Sequence, residues 1–224
     1  MLHGVIFDID GTLVDSVDLH AKAWQEAFRH FGYDIPFERV WEQIGKGSDQ
    51  LIPALLPKDA VKAKGKEIDE YRGKLYKRDY LPRVRPFPMV RELFERIRAD
   101  GKRIALASSA KEDELGAYIK LTNVGDLIET ATSSGDAEKS KPHPDIFHAA
   151  LGRLGGMNPA DVVVVGDTPY DAEAAGRAGM RTVGVLGGGW PAEKLRAAGC
   201  VAVYDGPADL LRHYDTSILA NGPA

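Results

Sequence analysis

Two aspartates stand two residues apart at the end of an apolar run, Val5-Ile6-Phe7-Asp8-Ile9-Asp10, followed by Gly11 and Thr12. An extended backbone puts side chains two apart on one side, so one carboxylate could attack an electrophile while the other moves a proton. Asp167 and Asp171 follow a second run, Val162-Val163-Val164-Val165-Gly166. Carboxylates gathered in one crevice repel one another unless a divalent cation sits among them, and hard oxygen donors suit Mg²⁺. Groups suited to phosphate lie between these runs. Ser108 and Ser109 end the stretch Ile104-Ala105-Leu106-Ala107, just before a helical segment whose first amides favour an anion. Lys141, in Lys139-Ser140-Lys141-Pro142, offers a compact positive charge against the repulsion between phosphate and an attacking carboxylate. Lys139 has the same chemistry two residues earlier.

These groups need a frame that brings strand ends together. The runs ending at Asp8, Ser108 and Asp167, with a weaker one at Thr182-Val183-Gly184-Val185-Leu186, read as strands buried on both faces. Helical patterns alternate with them: Val90 to Ala99, Glu112 to Leu121, Asp145 to Leu154 and Asp171 to Ala178. The alternation predicts an α/β fold, a Rossmann-like parallel sheet covered by helices, which binds ligands at the carboxyl ends of its strands. Residues 16–85 break this rhythm and read as helices at Leu19 to Phe31, Phe37 to Ile44, Asp49 to Leu56 and Ala60 to Tyr80. The expected organisation is a core of residues 1–15 and 86–224 with a helical insert at 16–85, hinged near Asp15-Ser16 and Arg83-Pro86. The tail from Thr216 is expected to be loosely held.

Composition narrows the function classes. Of 224 residues, 44% are hydrophobic, and the formal net charge is −4. That is enough apolar material for a core and too little basic excess for a nucleic-acid binder. One cysteine, Cys200, allows no intramolecular disulfide and no thiolate metal cluster. No apolar run approaches the length of a membrane span, and the first residues lack the basic start of a signal peptide. The expectation is a cytoplasmic monomer that meets neither membrane nor nucleic acid and acts on a small molecule.

Taken together, Asp8-x-Asp10-Gly11-Thr12, Ser108 after an apolar strand, Lys141-Pro142, and Gly166-Asp167-x-x-x-Asp171 resemble the four ordered motifs of the haloacid dehalogenase superfamily. The resemblance covers the whole chain, and the insert is similar to that family's first type of helical cap. It implies that Asp8 attacks phosphorus to form an aspartyl-phosphate. Asp10 would protonate the leaving oxygen and then activate water. Ser108 or Ser109 and Lys141 would hold the phosphoryl oxygens. Mg²⁺ would be bound by Asp8, the main-chain carbonyl of Asp10 and Asp167, with Asp171 a ligand through water or an orienting group. Asp171 could equally be a plain helix cap.

Within the insert, His20 and Trp24 lie four apart on one helical face. Trp24 reads as core packing. His20 reads either as a solvated surface residue or as the histidine that β-phosphoglucomutases, a branch of the same superfamily, set against the acid/base aspartate. Lys46, flanked by Gly45 and Gly47, could face the crevice; Lys77 reads as a surface charge. Gly187-Gly188-Gly189-Trp190 reads as a core-side loop that resembles phosphoglycolate-phosphatase relatives. The leading function is a Mg²⁺-dependent phosphatase acting on a sugar phosphate or a phosphoglycolate-like ester. The alternative is a phosphosugar mutase, against which the segment Gly45 to Leu51 lacks the arginine that branch uses for a second phosphate. Asp10 argues against a dehalogenase, and the full set of reactive groups argues against a non-catalytic binding module.

Overall fold

The computed structural model describes residues 2–221. Six strands form one parallel sheet: β1 (Gly4–Phe7), β4 (Arg103–Ala107), β5 (Thr130–Thr132), β6 (Val162–Gly166), β7 (Arg181–Val185) and β8 (Cys200–Tyr204), in the order β5-β4-β1-β6-β7-β8. Two further strands, β2 (Val14–Asp15) and β3 (Arg85–Pro86), pair as a short antiparallel ribbon. The central strand β1 pairs with β4 on one side and β6 on the other, Val5 lying opposite both Ile104 and Val163. The ends of β1, β4 and β6 are therefore neighbours, which brings Asp8, Ser108 and Asp167 to one edge.

Successive strand residues face opposite layers. Val5 and Phe7 join a cluster with Leu93, Phe94 and Ile97 of helix α5 (Val90–Ala99), described below with its neighbours, while Ile6 joins Ile146, Phe147, Ala174 and Ala175 on the other face. Phe94 is fully buried and stacks on Phe7 at 4.6 Å between centroids. The sheet helices are α5, α6 (Glu112–Thr122), α7 (Asp145–Arg153), α8 (Pro169–Arg177), α9 (Ala192–Ala197), α10 (Pro207–Arg212) and α11 (Ile218–Asn221). Between β2 and β3 come α1 (Val17–His30), α2 (Phe37–Trp41), α3 (Ser48–Leu55) and α4 (Lys58–Leu75), the last continuing as a π-turn over Tyr76–Tyr80. These four helices bury an apolar cluster of their own, with Ala21, Trp24, Phe28, Val40, Leu51 and Ile68 at its centre.

The sheet has two edge strands beyond the four that the sequence predicts: β5 is the three residues Thr-Ala-Thr, and β8 is the apolar run Cys-Val-Ala-Val-Tyr, of which only Cys200 is buried. One expectation changes. The chain from Thr216 is not loose, because Leu219 is fully buried in the same cluster as Phe94 and Ser217 is 2% exposed. Residues 222–224 lie outside the described residues. No helix among the described residues is long and apolar enough to cross a membrane.

Candidate active site

Asp8 is the first residue past β1, and its N–H still donates to Val165 O at 2.9 Å, so the ladder holds it in place. Lys141, 1% exposed, donates to Asp8 Oδ1 and to Ala107 O (3.3 Å) and lies 2.7 Å from Asp171 Oδ1. One ammonium thus serves the ends of β1 and β4 and the head of α8. Lys139 is exposed, its N–H donating to Asp145 Oδ2, and does not reach this place.

Asp171 does both things the sequence allows. Its Oδ2 accepts from Thr168 N (3.1 Å) and Thr168 Oγ1 (2.6 Å), and its own N–H donates back to Thr168 Oγ1. That is a reciprocal helix cap at the start of α8. The other oxygen faces Lys141. Asp167 is fully buried; Thr12 Oγ1 donates to its Oδ1 at 2.9 Å, and its Oδ2 has no hydrogen-bond partner.

Carboxylate oxygens of Asp8, Asp167 and Asp171 lie within 4.8 Å of one another. Burial pushes the Asp8 carboxyl up to about 7 against the pull of Lys141, with Asp171 and Asp10 adding to the rise. Burial, then the charges of Asp8 and Asp171, lift Asp167 well above the usual carboxylate range. Lys141 moves the other way from most buried lysines: burial lowers it, but Asp171 and Asp8 more than restore it, so it stays charged.

Asp10 departs from the strand-period expectation. The strand ends at Phe7, and Thr12, Leu13 and Val14 all donate their N–H to Ile9 O, closing a turn. The turn sends Asp10 to partners of its own: Ser16 Oγ donates to Asp10 Oδ1 at 2.6 Å, and His20 Nε2 lies 2.8 Å from the same oxygen. Burial would raise Asp10, but the charge and hydrogen bond of His20, with Ser16, outweigh it and hold the carboxyl at about 2. Asp10 is thus outside the carboxylate trio. Asp8 and Asp10 nevertheless line one small compartment, about 40 Å³, with His20, Trp24, Lys46 and Arg72. A larger cavity of about 310 Å³ adjoins it, sharing Trp24, Lys46, Arg72 and Ser109 and adding Lys111, Asp49 and Ser140.

His20 is 4% exposed, which removes the solvated reading. Its ring stacks on Tyr76 at 3.9 Å, its Nδ1 lies 2.6 Å from Arg72 Nη2, and its Nε2 also lies 3.1 Å from Tyr118 Oη. Arg72 continues to Glu114 of α6 at 3.4 Å. Trp24 is buried in the helical cluster and walls the compartment. Lys46 donates to Gln43 Oε1 (2.6 Å) and sits 4.4 Å over the Tyr170 ring. Ser108 is fully buried, its Oγ accepting from Ala110 N, while Ser109 Oγ donates to Gly45 O of the insert. Lys77 pairs with Asp113 on the surface. Thr12, Ser16, Arg72 and Tyr118 belong to the site and were not singled out as candidates. Thr12 stands inside the Asp8–Thr12 motif; Arg72 sits in a helix crowded with Lys and Glu and has no local mark.

This arrangement agrees with what the chain is similar to. The family model described as haloacid dehalogenase-like hydrolase matches residues 5–185. The chain belongs to the haloacid dehalogenase-like hydrolases. The hydrolase is 27% identical to the phosphoglycolate phosphatase of Aquifex aeolicus, covering 96% of this chain and 98% of that protein. It is 28% identical to pyrophosphatase PpaX of Bacillus velezensis, over 81% and 82% of the two chains. Among solved structures, a hydrolase from Pseudomonas syringae superposes with a TM-score of 0.89 at 29% identity, covering 96% and 98%. The family and these named relatives make the chain a phosphoric monoester hydrolase.

The residues of the hydrolase fit a divalent cation. Three carboxylates converge, and Asp167 Oδ2 is a buried polar atom without a hydrogen-bond partner, a costly state away from water. Two glycines keep the space beside it open: a Cβ at Gly188 would fall 1.8 Å from Asp167 Oδ2, and one at Gly11 (φ +79°) 2.3 Å. An all-oxygen donor set of this kind matches Mg²⁺.

Proposed function

We propose that the protein is a Mg²⁺-dependent phosphatase that hydrolyses a small phosphomonoester, a sugar phosphate or a phosphoglycolate-like ester, through an aspartyl-phosphate on Asp8. The observation that carries this reading is the buried trio of Asp8, Asp167 and Asp171 around Lys141, with Asp10 turned away from it toward the compartment for the leaving group.

Asp8 Oδ attacks phosphorus, the bond to the ester oxygen breaks, and the leaving oxygen takes a proton from Asp10. Asp10 draws that proton across the 2.8 Å contact with His20 Nε2. Held ionised by His20 and Ser16, Asp10 is in the form that accepts a proton in the second half, when water attacks the acyl-phosphate and frees Asp8. Lys141 offsets the charge of Asp8 as a dianionic phosphate approaches, and Ser108 and Ser109 supply hydroxyls at the end of β4. Mg²⁺ held by Asp8, the main chain of Asp10 and Asp167, with Asp171 behind it, would supply charge neutralisation. Residues 16–85 act as a cap over the 1–15 and 86–224 core, shielding the compartment from water, with His20 and Lys46 facing the leaving group. A monomer in the cytoplasm is the form this reading expects.

The test is phosphate release from a panel of sugar phosphates, phosphoglycolate and nucleotides with Mg²⁺, run beside product analysis on glucose 1-phosphate. Rapid release from one ester class supports the phosphatase and names its substrate. Isomerised sugar phosphate with little free phosphate would replace it with a mutase.

A further inference from the structure

Ser140, the residue directly before Lys141, is the point at which the α2–α3 loop of the insert touches the catalytic loop. Asp49, in the first turn of α3, uses both carboxylate oxygens on this one residue. Its Oδ1 accepts from Ser140 Oγ at 2.5 Å and its Oδ2 from Ser140 N at 3.1 Å. Ser140 Oγ in turn accepts from Gly47 N at 2.8 Å. Three hydrogen bonds thus join segments more than 90 residues apart, one peptide away from the ammonium that touches Asp8.

The approach is close enough to dictate a residue type. Gly47 has ordinary φ (−75°), so its backbone does not require glycine, but a Cβ there would fall 2.7 Å from both Cβ and Oγ of Ser140. Ser140 and Gly47 are buried while Asp49 is exposed on its outer side, so the contact closes at the rim of the 310 Å³ cavity. Lys141 has no slack of its own. It is held between Asp8, Asp171 and Ala107 O, and a displacement of its main chain withdraws charge from the nucleophile.

We propose that Asp49 and Ser140 are positioning residues: the Asp49–Ser140–Gly47 clasp couples seating of the insert to placement of Lys141, so that the phosphoryl site is complete only when the insert is down. This rests on the phosphatase reading above, with Lys141 serving Asp8. Because misplacement by about 1 Å can cost about a hundredfold in rate, loss of the clasp is expected to lower kcat by about tenfold or more while leaving the fold in place.

The test is a double-mutant cycle of Asp49→Ala and Ser140→Ala, assayed with p-nitrophenyl phosphate and Mg²⁺. The leaving group of that ester needs no proton, so protonation by Asp10 drops out of its rate, and the water step that Asp10 still serves is common to every variant compared. The expected result is a kcat loss in each single variant, a double variant no slower than the slower single, and partial recovery in Asp49→Asn and Ser140→Thr, which keep one acceptor and the hydroxyl. Circular dichroism and melting temperature check folding; if an alanine variant is unfolded, the Asn and Thr variants carry the test by the same kcat criterion. Unchanged kcat in the single variants, a rise in KM alone, or losses that multiply in the double variant would overturn the clasp. Absence of wild-type hydrolysis would instead remove the phosphatase reading.

Discussion

Asp8, Lys141, Asp167 and Asp171 stand on or beside a six-stranded sheet and are each at most 5% exposed, whereas Lys46, Asp49 and Lys111, from the α2–α3 loop, the first turn of α3 and the head of α6, line the adjoining 310 Å³ cavity and remain partly open to water. The floor is held by backbone ladders and by one ammonium shared among carboxylates. The roof is held by contacts that cross between separate chain segments: Asp69–Lys111 at 2.9 Å, Arg72–Glu114 at 3.4 Å and Tyr76–Tyr118 at 2.6 Å on one side, the clasp at Ser140 on the other. Charge in the floor is desolvated and therefore strong; in the roof the Arg72–Glu114 pair is buried too, but Lys46, Asp49 and Lys111 are screened and adjustable. Chemistry common to many esters belongs on the first kind of surface and choice among esters on the second.

Substitutions should follow that division. Asp8→Asn is expected to lower turnover by at least about 10⁴-fold with an unchanged circular dichroism spectrum, read by steady-state phosphate release. Asp10→Asn should cost about 10²–10⁴-fold with an alkyl phosphate but markedly less in the first half-reaction of p-nitrophenyl phosphate, a split seen by comparing the two esters. Lys141→Met leaves Asp8 and Asp171 without their partner, so the metal-free variant should unfold about 3–5 kcal/mol more easily in urea, besides losing activity.

Protons and cation compete for the floor. In the metal-free protein the folded state holds protons on Asp8 and Asp167 that the unfolded chain has released by about pH 4, so their contribution to stability falls as pH rises toward about 7. On the proposed assignment, Mg²⁺ would replace those protons. Its addition should raise the melting temperature by roughly 5 °C at pH 8 and by much less at pH 5. Equal shifts at both values would break the assignment of these carboxylates. The smallest effect belongs to the outermost contact of the roof. Lys77→Ala removes an exposed pair with Asp113 and should move the melting temperature by less than about 1 °C, by differential scanning fluorimetry.

The floor was largely legible in the sequence because its signals are local. Four consecutive valines before Gly166-Asp167 are hard to place anywhere but a strand covered on both faces, and Asp8 follows a similar run. Edge strand β5 left no such mark, since Thr-Ala-Thr has no apolar run, whereas the run Cys200–Tyr204 of β8 is itself a strand signal. Strand period does not govern Asp10, because β1 ends at Phe7, three residues before it, and the chain closes a turn on Ile9 O, although Asp8 and Asp10 still line one compartment. The roof was legible as helices and little more. Arg72 meets His20 across 52 residues and Tyr118 meets it across 98, contacts that only the packed structure creates.

The ribbon of Val14–Asp15 against Arg85–Pro86 sets the exit and re-entry of the insert on adjacent, hydrogen-bonded strands. Paired strands hold facing residues about 5 Å apart, so the chain enters and leaves the segment from Ser16 to Val84 through a gap scarcely wider than one side chain. Such a doorway makes the helices replaceable as a unit. A foreign bundle whose own ends lie about 5 Å apart could be spliced there while β1 keeps its register with β4 and β6. On the proposed function, substrate preference could then diverge with the sheet unchanged, provided the new bundle keeps a contact to Ser140.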